Sequence, residues 1–432
     1  MAQRERETGF TRVRLGEIDS ARSRHMWTRS SVHLADDLVV AGRWDGTVTA
    51  FERDSLEAAW EVEHPESAVT LATLGSDGAL IVGGRGEEGV IAAYDLESGE
   101  RRWTYETSAD LGTPSQDSVF YLPYVVALET GTDTDTDTDG DEAPVLYAAA
   151  RRYERDGEER RWHSTVYALD ADGSVRWRYE ADASPISIDL DSSGERLAVG
   201  YNRCMGDHDN GLVVLDTATG DLEWSWDPGT PGDRRVGDVS FVSGGNGDGD
   251  GGRIAVSSHG DKRGYLLGPG GAEQWGVDLA VETEIGDETL YAYPNHVHAA
   301  GDRIAFVTGN TYAVESRETE HRHPNEHRVA AFDREGELAW DAAVRGFVHG
   351  LAADDGTIVA PCAQNFRVRD PETHAVRWFD LESGAGGRER IDGIATAAAA
   401  DGDTVAAIEE PVEYHDEGTT RGEYALRVGR SS

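Results

Sequence analysis

Along this chain, short runs of Val, Ile, Leu and Ala alternate with clusters of Asp, Gly, Ser and Glu, and apolar residues do not recur at helical spacing. One arrangement repeats: VTAFERDSLEAAW (48–60), AAYDLESGERRW (92–103), TVYALDADGSVRW (165–177), GLVVLDTATGDLEW (211–224), GYLLGPGGAEQW (264–275), AAFDREGELAW (330–340) and FRVRDPETHAVRW (366–378). In each, an apolar strand ends at a turn residue (Glu52, Asp95, Asp170, Asp216, Gly268, Asp333, Asp370) and a tryptophan follows seven or eight positions later. That interval predicts a hairpin, because Asp supplies side-chain-to-backbone bonds and Gly tolerates positive φ in a tight turn.

Two more strand-like runs precede every hairpin. The middle ones are 38–43, 80–85, 145–151, 196–202, 253–259, 303–309, 357–363 and 404–410, and the first ones are 31–35, 68–72, 118–122, 185–190, 238–242, 296–300, 348–352 and 394–398. Repeated short strands with turn signals between them predict an all-β fold, an eight-bladed β-propeller of four-stranded antiparallel blades forming one domain over 1–432. The last blade, 391–432, ends on EYALRVG (423–429) without a tryptophan hairpin. Its fourth strand is expected from FTRVRLGEI (10–18), closing the ring and removing exposed edges.

The run from Val166 to Trp177, Val-Tyr-Ala-Leu-Asp-Ala followed by a Gly-bearing turn and Trp, resembles the repeat of pyrroloquinoline-quinone-type propellers, and the resemblance extends over nearly the whole chain. Similar repeats occur in quinoprotein alcohol dehydrogenases, in the outer-membrane β-barrel assembly lipoprotein, and in scaffold domains that bind no quinone, so the motif specifies fold and not function. The resemblance implies that Trp60, Trp103, Trp177, Trp224, Trp275, Trp340 and Trp378 dock between adjacent blades as structural residues. It also implies, for the quinone enzymes, a vicinal disulfide over the cofactor and an Asp base beside a calcium held by Glu and Asn. Cys204 and Cys362 are far apart, so no such disulfide is expected, and no cofactor is assigned.

Charge narrows the choice further. There are 82 acidic residues against 40 basic ones, a net charge of −42, which excludes a nucleic-acid binder of the usual kind because phosphate neutralisation needs surplus cations. Lys262 is the one lysine, and the bias resembles that of salt-in halophilic archaea. At molar salt the Debye length is about 3 Å, which screens the self-repulsion. With no long apolar run and no apolar stretch after Met1–Glu7, neither membrane insertion nor a secretory signal is expected, and the reading is cytoplasmic.

Candidate chemistry is sparse. Two acidic stretches (Asp135, Asp137, Asp139 before Gly140; Asn246, Asp248, Asp250 before Gly251) imitate half of a calcium loop, but Leu146 and Ser257 stand where a bidentate Glu is needed, so solvated hairpins are expected. Aligning the first strands puts His33, Thr70, Phe120, Ser187, Ser240, His298 and His349 in one register, with His296 on the same face as His298. Three imidazoles could converge on a metal or an anion, or could tie each strand to its neighbour. The run 318–327, with His321, His323 and His327, reads as a solvated loop interrupted by Pro324.

Arg43, Arg85 and Arg151 end second strands, and Arg203 lies one residue past its own. The longest insertions, 152–164, 310–327 and 411–422 with 105–117, 227–237, 281–294 and 384–392, fall on the same face of a propeller as these arginines. There they would select a carboxylate or phosphate, or else pair with the chain's own acidic residues. The leading expectation is a non-catalytic platform or scaffold that binds another protein through this face. The alternative is a small anionic ligand or metal site at the channel mouth, with hydrolase or lyase activity as its extension. No catalytic residue and no resident metal ligand is assigned.

Overall fold

The computed structural model describes residues 6–7, 9–22, 29–75, 78–133, 143–243, 252–315, 319–354, 356–363, 370–414 and 418–431. The calcium-like stretches at 134–142 and 244–251, and Glu318, lie outside them. The architecture is all-β and that of a β-propeller, built from successive four-stranded antiparallel sheets. Unit one runs Ser31–Ala35, Leu38–Gly42, Thr47–Glu52, Ala58–Glu63, each strand pairing with the next. Units four, five and six repeat that order over Ala183–Leu190 to Leu222–Trp226, Val236–Phe241 to Glu273–Asp278 and Pro294–Ala300 to Leu338–Ala343. Units two and three are also joined to each other by a bridge from Tyr124 to Arg85. In unit eight, Thr11–Gly16 lies antiparallel to Tyr424–Arg430, with Val13 opposite Leu426.

The strand positions explain their composition. Second strands are covered on both faces, and Ala79–Arg85 is buried at every position, so they read as near-continuous apolar runs. Fourth strands such as Arg101–Glu106 alternate exposed and half-buried residues with period two. Each main apolar cluster is shared by two successive units. Ile81 and Ile91 of unit two pack with Leu146 and Tyr167 of unit three, and Val359 and Val376 of unit seven with Val405 and Ala407 of unit eight. Leu15, Ile408 and Leu426 of unit eight pack in turn with Val32, Val39 and Phe51 of unit one.

The tryptophans sit between units through one repeated bond. The indole N–H donates to the carbonyl of the residue just after the next unit's turn Asp: Trp60 to Leu96 at 2.8 Å, Trp103 to Ala171 at 2.7 Å, Trp177 to Thr217 at 2.7 Å, Trp275 to Arg334 at 2.9 Å and Trp340 to Leu381 at 2.9 Å. The turn glycine is required twice over. Gly220 has φ +74°, and a Cβ there would stand 2.6 Å from the Trp177 ring.

Unit seven corrects the sequence reading. Trp378 is not on a fourth strand; it lies on the third strand, Ala375–Asp380, opposite Gly387 of the fourth, Gly386–Arg390. The true turn is Asp380–Gly384, where the Asp380 carboxylate accepts from Ser383 N at 2.7 Å, and 370–373 form a 3-10 turn instead. Gly387 holds the place a tryptophan has in the other units, and a Cβ on it would lie 2.5 Å from the Trp378 ring. The indole has crossed to the neighbouring strand, where it is buried and stacks on Phe10 at 5.6 Å. The segment 384–392 is therefore mainly strand and not an insertion.

Four further expectations shift. The first strand of unit three is Tyr124–Asp133, not 118–122, which forms turns ahead of Pro123, so Phe120 leaves the proposed register. In unit seven the first strand is Ala352–Asp354, and His349 precedes it. The insertion 152–164 is no loop: Ala143–Asp156 and Glu159–Asp170 pair as one long hairpin as far as Asp156 opposite Glu159. Insertions 281–294 and 310–327 do meet, as Thr283–Ile285, Glu288–Tyr291 and Tyr312–Ala313 form a small side sheet. A second one joins Ala21–Arg22, Val412–Tyr414 and Thr419–Arg421. The loop holding His323 and His327 buries both, against the expectation of a solvated loop, with His323 Nε2 donating to Val281 O at 2.6 Å. Among the described residues no helix is long and apolar enough to cross a membrane.

Candidate functional site

The first strands and the segments entering them surround a cavity of about 580 Å3 to which every unit contributes: Val32, Thr70, Tyr124 and Ile186 from units one to four, Asp238, His296, Leu351 and Ala397 from units five to eight. Of the residues singled out in the sequence, Arg85, Arg151, His296 and His349 line it together with Thr70 and Phe120.

Units two and three supply a cationic, aromatic wall. The Arg85 guanidinium stands 4.7 Å from the centre of the Tyr124 ring, and its Nε and Nη2 donate to Val119 O at 3.0 and 2.6 Å. Arg151 faces the same ring at 5.4 Å and Trp162 at 5.2 Å, and its Nη1 donates to Pro185 O at 2.9 Å and to Ser184 Oγ. Such ring contacts are worth about 0.5–2 kcal/mol each, depending on desolvation. Burial pushes the Arg151 pKa down to about 10, with Tyr124 opposing the fall and Arg85 adding to it; burial lowers that of Arg85 as well. Both remain cations at neutral pH. Beside them Phe120, Tyr153 and Trp162 form an aromatic group, with Phe120–Tyr153 at 4.6 Å and Tyr153–Trp162 at 5.0 Å.

Units five to seven supply the other wall. His296 Nε2 donates to Val348 O at 3.2 Å, and its Nδ1 is 3.7 Å from Asp238 Oδ2. Burial, with His296 adding to it, lowers the His349 pKa to about 4, so that imidazole is neutral at pH 7.

Other candidates lie elsewhere. His33 Nε2 bonds Thr73 Oγ1 at 2.6 Å, and neither it nor His298 lines the cavity. Arg43 pairs with Asp45 at 2.6 Å and Arg203 with Asp233 at 2.8 Å, so these two use the chain's own carboxylates. Among the described residues no group of three or more His, Cys, Asp or Glu is arranged to hold a metal ion. Cys204 and Cys362 are separate buried thiols. The described residues thus hold no vicinal disulfide of the kind that the resemblance implies for quinone enzymes. Sequence reading missed Tyr124, Trp162 and Asp238. Trp162 carried a signal, being a tryptophan outside the hairpin register.

Further along the first strands, burial raises the carboxyl pKa values of Glu129 and Asp189, and their neighbouring acids, Asp189 for Glu129 and Asp238 for Asp189, reinforce the shift. A carboxyl raised by folding contributes stability at low pH that is lost as pH climbs from about 4 toward its folded value. Buried His64 acts in the opposite direction: its pKa falls to about 4, so stability is full above about 6.5 and is lost as pH falls toward 4. Asp189→Asn should therefore flatten the neutral-side decline in stability and leave the acid limb in place, read from denaturant midpoints between pH 4 and 8. An unchanged neutral-side decline would contradict the placement of Asp189.

Comparison with known proteins agrees with this architecture. A family model described as outer membrane protein assembly factor BamB matches residues 21–126 and 45–259, which together span more than half of the chain. A quinohemoprotein alcohol dehydrogenase of Comamonas testosteroni is 26% identical over 208 residues, 45% of this chain and 25% of that one, so the match spans a quarter of that relative's length. In structure the chain is similar to BamB from Moraxella catarrhalis (TM-score 0.51, 15% identity, 98% of this chain and 100% of that one). It is also similar to the Comamonas testosteroni quinohemoprotein alcohol dehydrogenase (TM-score 0.57, 12% identity, 95% of this chain and 74% of that one) and to the computationally designed Ika8 protein (TM-score 0.50, 11% identity, 94% and 99%). At these identities the likeness is one of fold alone.

Proposed function

The chain belongs to the pyrroloquinoline-quinone-like repeat propeller family, that of outer membrane protein assembly factor BamB, and from that premise we propose that it is a binding protein: an eight-bladed ring, closed by its own N-terminal strand, that holds another protein on its loop-bearing face in a high-salt cytoplasm. The observation that carries this reading is how that face is built. Two side sheets and the long hairpin of unit three give it ordered surface, and Phe120, 39% exposed, projects from an aromatic group beside arginines. Aromatic residues and Arg are the side chains enriched where proteins bind one another. The acidic excess and the near absence of lysine support the high-salt setting.

The test is an affinity capture in molar salt with three tagged forms: the natural chain, Phe120→Asp on the loop-bearing face, and Glu335→Arg on a third-to-fourth-strand turn of the opposite face. A partner retained by the natural chain and by Glu335→Arg but lost with Phe120→Asp is the expected result. No stable partner, or equal retention by all three, overturns the proposal. A second reading, a small anionic ligand in the cavity, is favoured by Arg85 and Arg151 on a single wall.

A further inference from the structure

The anion reading of the cavity can be taken one step further, because the two walls carry opposite charge. In an eight-unit ring, units six and seven stand opposite units two and three, and unit five, which carries Asp238, stands two places on from unit three, which carries Arg151. One side presents Arg85 and Arg151 around Tyr124; the other presents Asp238 beside His296 and His349. We infer that the cavity is a site for a zwitterion of the free α-amino-acid class carrying an aromatic side chain, its carboxylate held by Arg151, its ammonium by Asp238 and its ring by Tyr153 and Trp162. The inference rests on the cavity being an anion site.

Arg151 makes no ion pair among the described residues. Nη1 is committed to Ser184 Oγ and Pro185 O, and a guanidinium has five N–H donors in a fork that matches a carboxylate. A largely buried cation with only neutral partners is improved by an anion that brings its own charge. Trp162 Nε1, on the same wall, is buried without a hydrogen-bond partner among the described residues.

Asp238 has complementary capacity. Oδ1 accepts from Val239 N at 2.9 Å and Oδ2 from Val297 N at 3.1 Å, which fixes the carboxylate while leaving a lone pair on each oxygen. Among the described residues no Arg or Lys pairs with it; its ion-pair contact is His296 at 3.7 Å, and its acidic neighbour is Asp189, whose carboxyl pKa is raised. His349, neutral at pH 7, adds no repulsion toward an ammonium. The volume of about 580 Å3 lies within the range of small-ligand sites, about 300–1,000 Å3. An inorganic anion would engage one wall and leave Asp238 without a counter-charge.

The test is isothermal calorimetry on the full chain in molar salt with three probes: L-phenylalanine, phenylacetate (the anionic half) and phenethylamine (the cationic half). Phenylalanine is expected to bind at least about tenfold more tightly than either half. Asp238→Asn should reduce phenylalanine to the affinity of phenylacetate without changing phenylacetate itself, while Arg151→Met should abolish binding of both carboxylates. Unchanged melting midpoints establish that the variants fold, and if Arg151→Met does not, the comparison of probes on the natural chain and on Asp238→Asn still decides. Phenylalanine binding no better than phenylacetate overturns the zwitterion and leaves the anion reading intact. Failure of both carboxylates to bind overturns both.

Discussion

Trp177→Ala is expected to lower the unfolding free energy by about 3–5 kcal/mol, the range for truncating a buried aromatic. The indole is 8% exposed and packs with Tyr147, Leu197 and Leu215, residues of two successive units, while its N–H bonds Thr217 O at 2.7 Å. Truncation opens a cavity between units and strands a buried carbonyl at the same time. Trp103 makes the same bond from a less buried position, so Trp103→Ala should cost clearly less. Denaturant unfolding in molar salt measures both, and a loss below about 1 kcal/mol for Trp177→Ala would contradict its role as a wedge.

Deleting residues 1–18 is expected to cost roughly 5 kcal/mol or more, since a buried core Leu alone accounts for about 2–5 kcal/mol. Leu15, 5% exposed, is the N-terminal strand's contribution to the cluster joining unit eight to unit one. Phe10 would leave the face of Trp378 at the same time. The deletion also bares Tyr424–Arg430 as an edge strand, which invites pairing with another molecule. Self-association in light scattering should therefore accompany the loss. Leu15→Asp should reproduce the destabilisation without the bare edge, and a truncated chain as stable and monomeric as the full one would contradict the assignment.

Fold was legible in this sequence wherever turn chemistry and packing demanded the same residues. At Asp216–Gly220 the Asp caps the turn, and the Gly both takes positive φ and clears the Trp177 ring, so one short pattern reports hairpin and inter-unit contact together. Unit seven misled because that logic was satisfied from the other side. With Gly387 in the usual indole position, Trp378 fills the space from the adjacent strand, and a reading anchored on tryptophan takes the wrong hairpin. The first strand of unit three was displaced because Val119 and Phe120 imitate a strand, whereas Pro123 ends that segment before Tyr124 begins the real one.

The site was legible only in part. Arg85 ends its second strand and Arg151 stands at the matching point of a second strand that runs on to Asp156, and the same position recurs in successive units, so spacing indicates a shared face. It does not indicate that Arg43 would turn to Asp45 while Arg151 meets only hydroxyl and carbonyl oxygens, because Asp45 sits in a turn and Ser184 and Pro185 lie on the next unit's first strand beside register shifts that the pattern does not reveal. Tyr124 and Asp238 reach the cavity at the starts of first strands beside register shifts, between Val125 and Ala127 and between Val236 and Asp238, and a bulge changes which side chains face inward.

The most direct test of the ring is a cross-link between its two ends. Thr11 and Val428 lie directly opposite each other in the antiparallel pair, where Cα atoms are about 4.5–5.5 Å apart and within disulfide reach. In a Thr11→Cys, Val428→Cys chain, with Cys204 and Cys362 buried, mild oxidation should give a single intramolecular disulfide, seen as faster migration on a non-reducing gel and a raised melting temperature. Oxidation that yields only intermolecular dimers, or no bond at all, would show that the N-terminal strand does not complete unit eight.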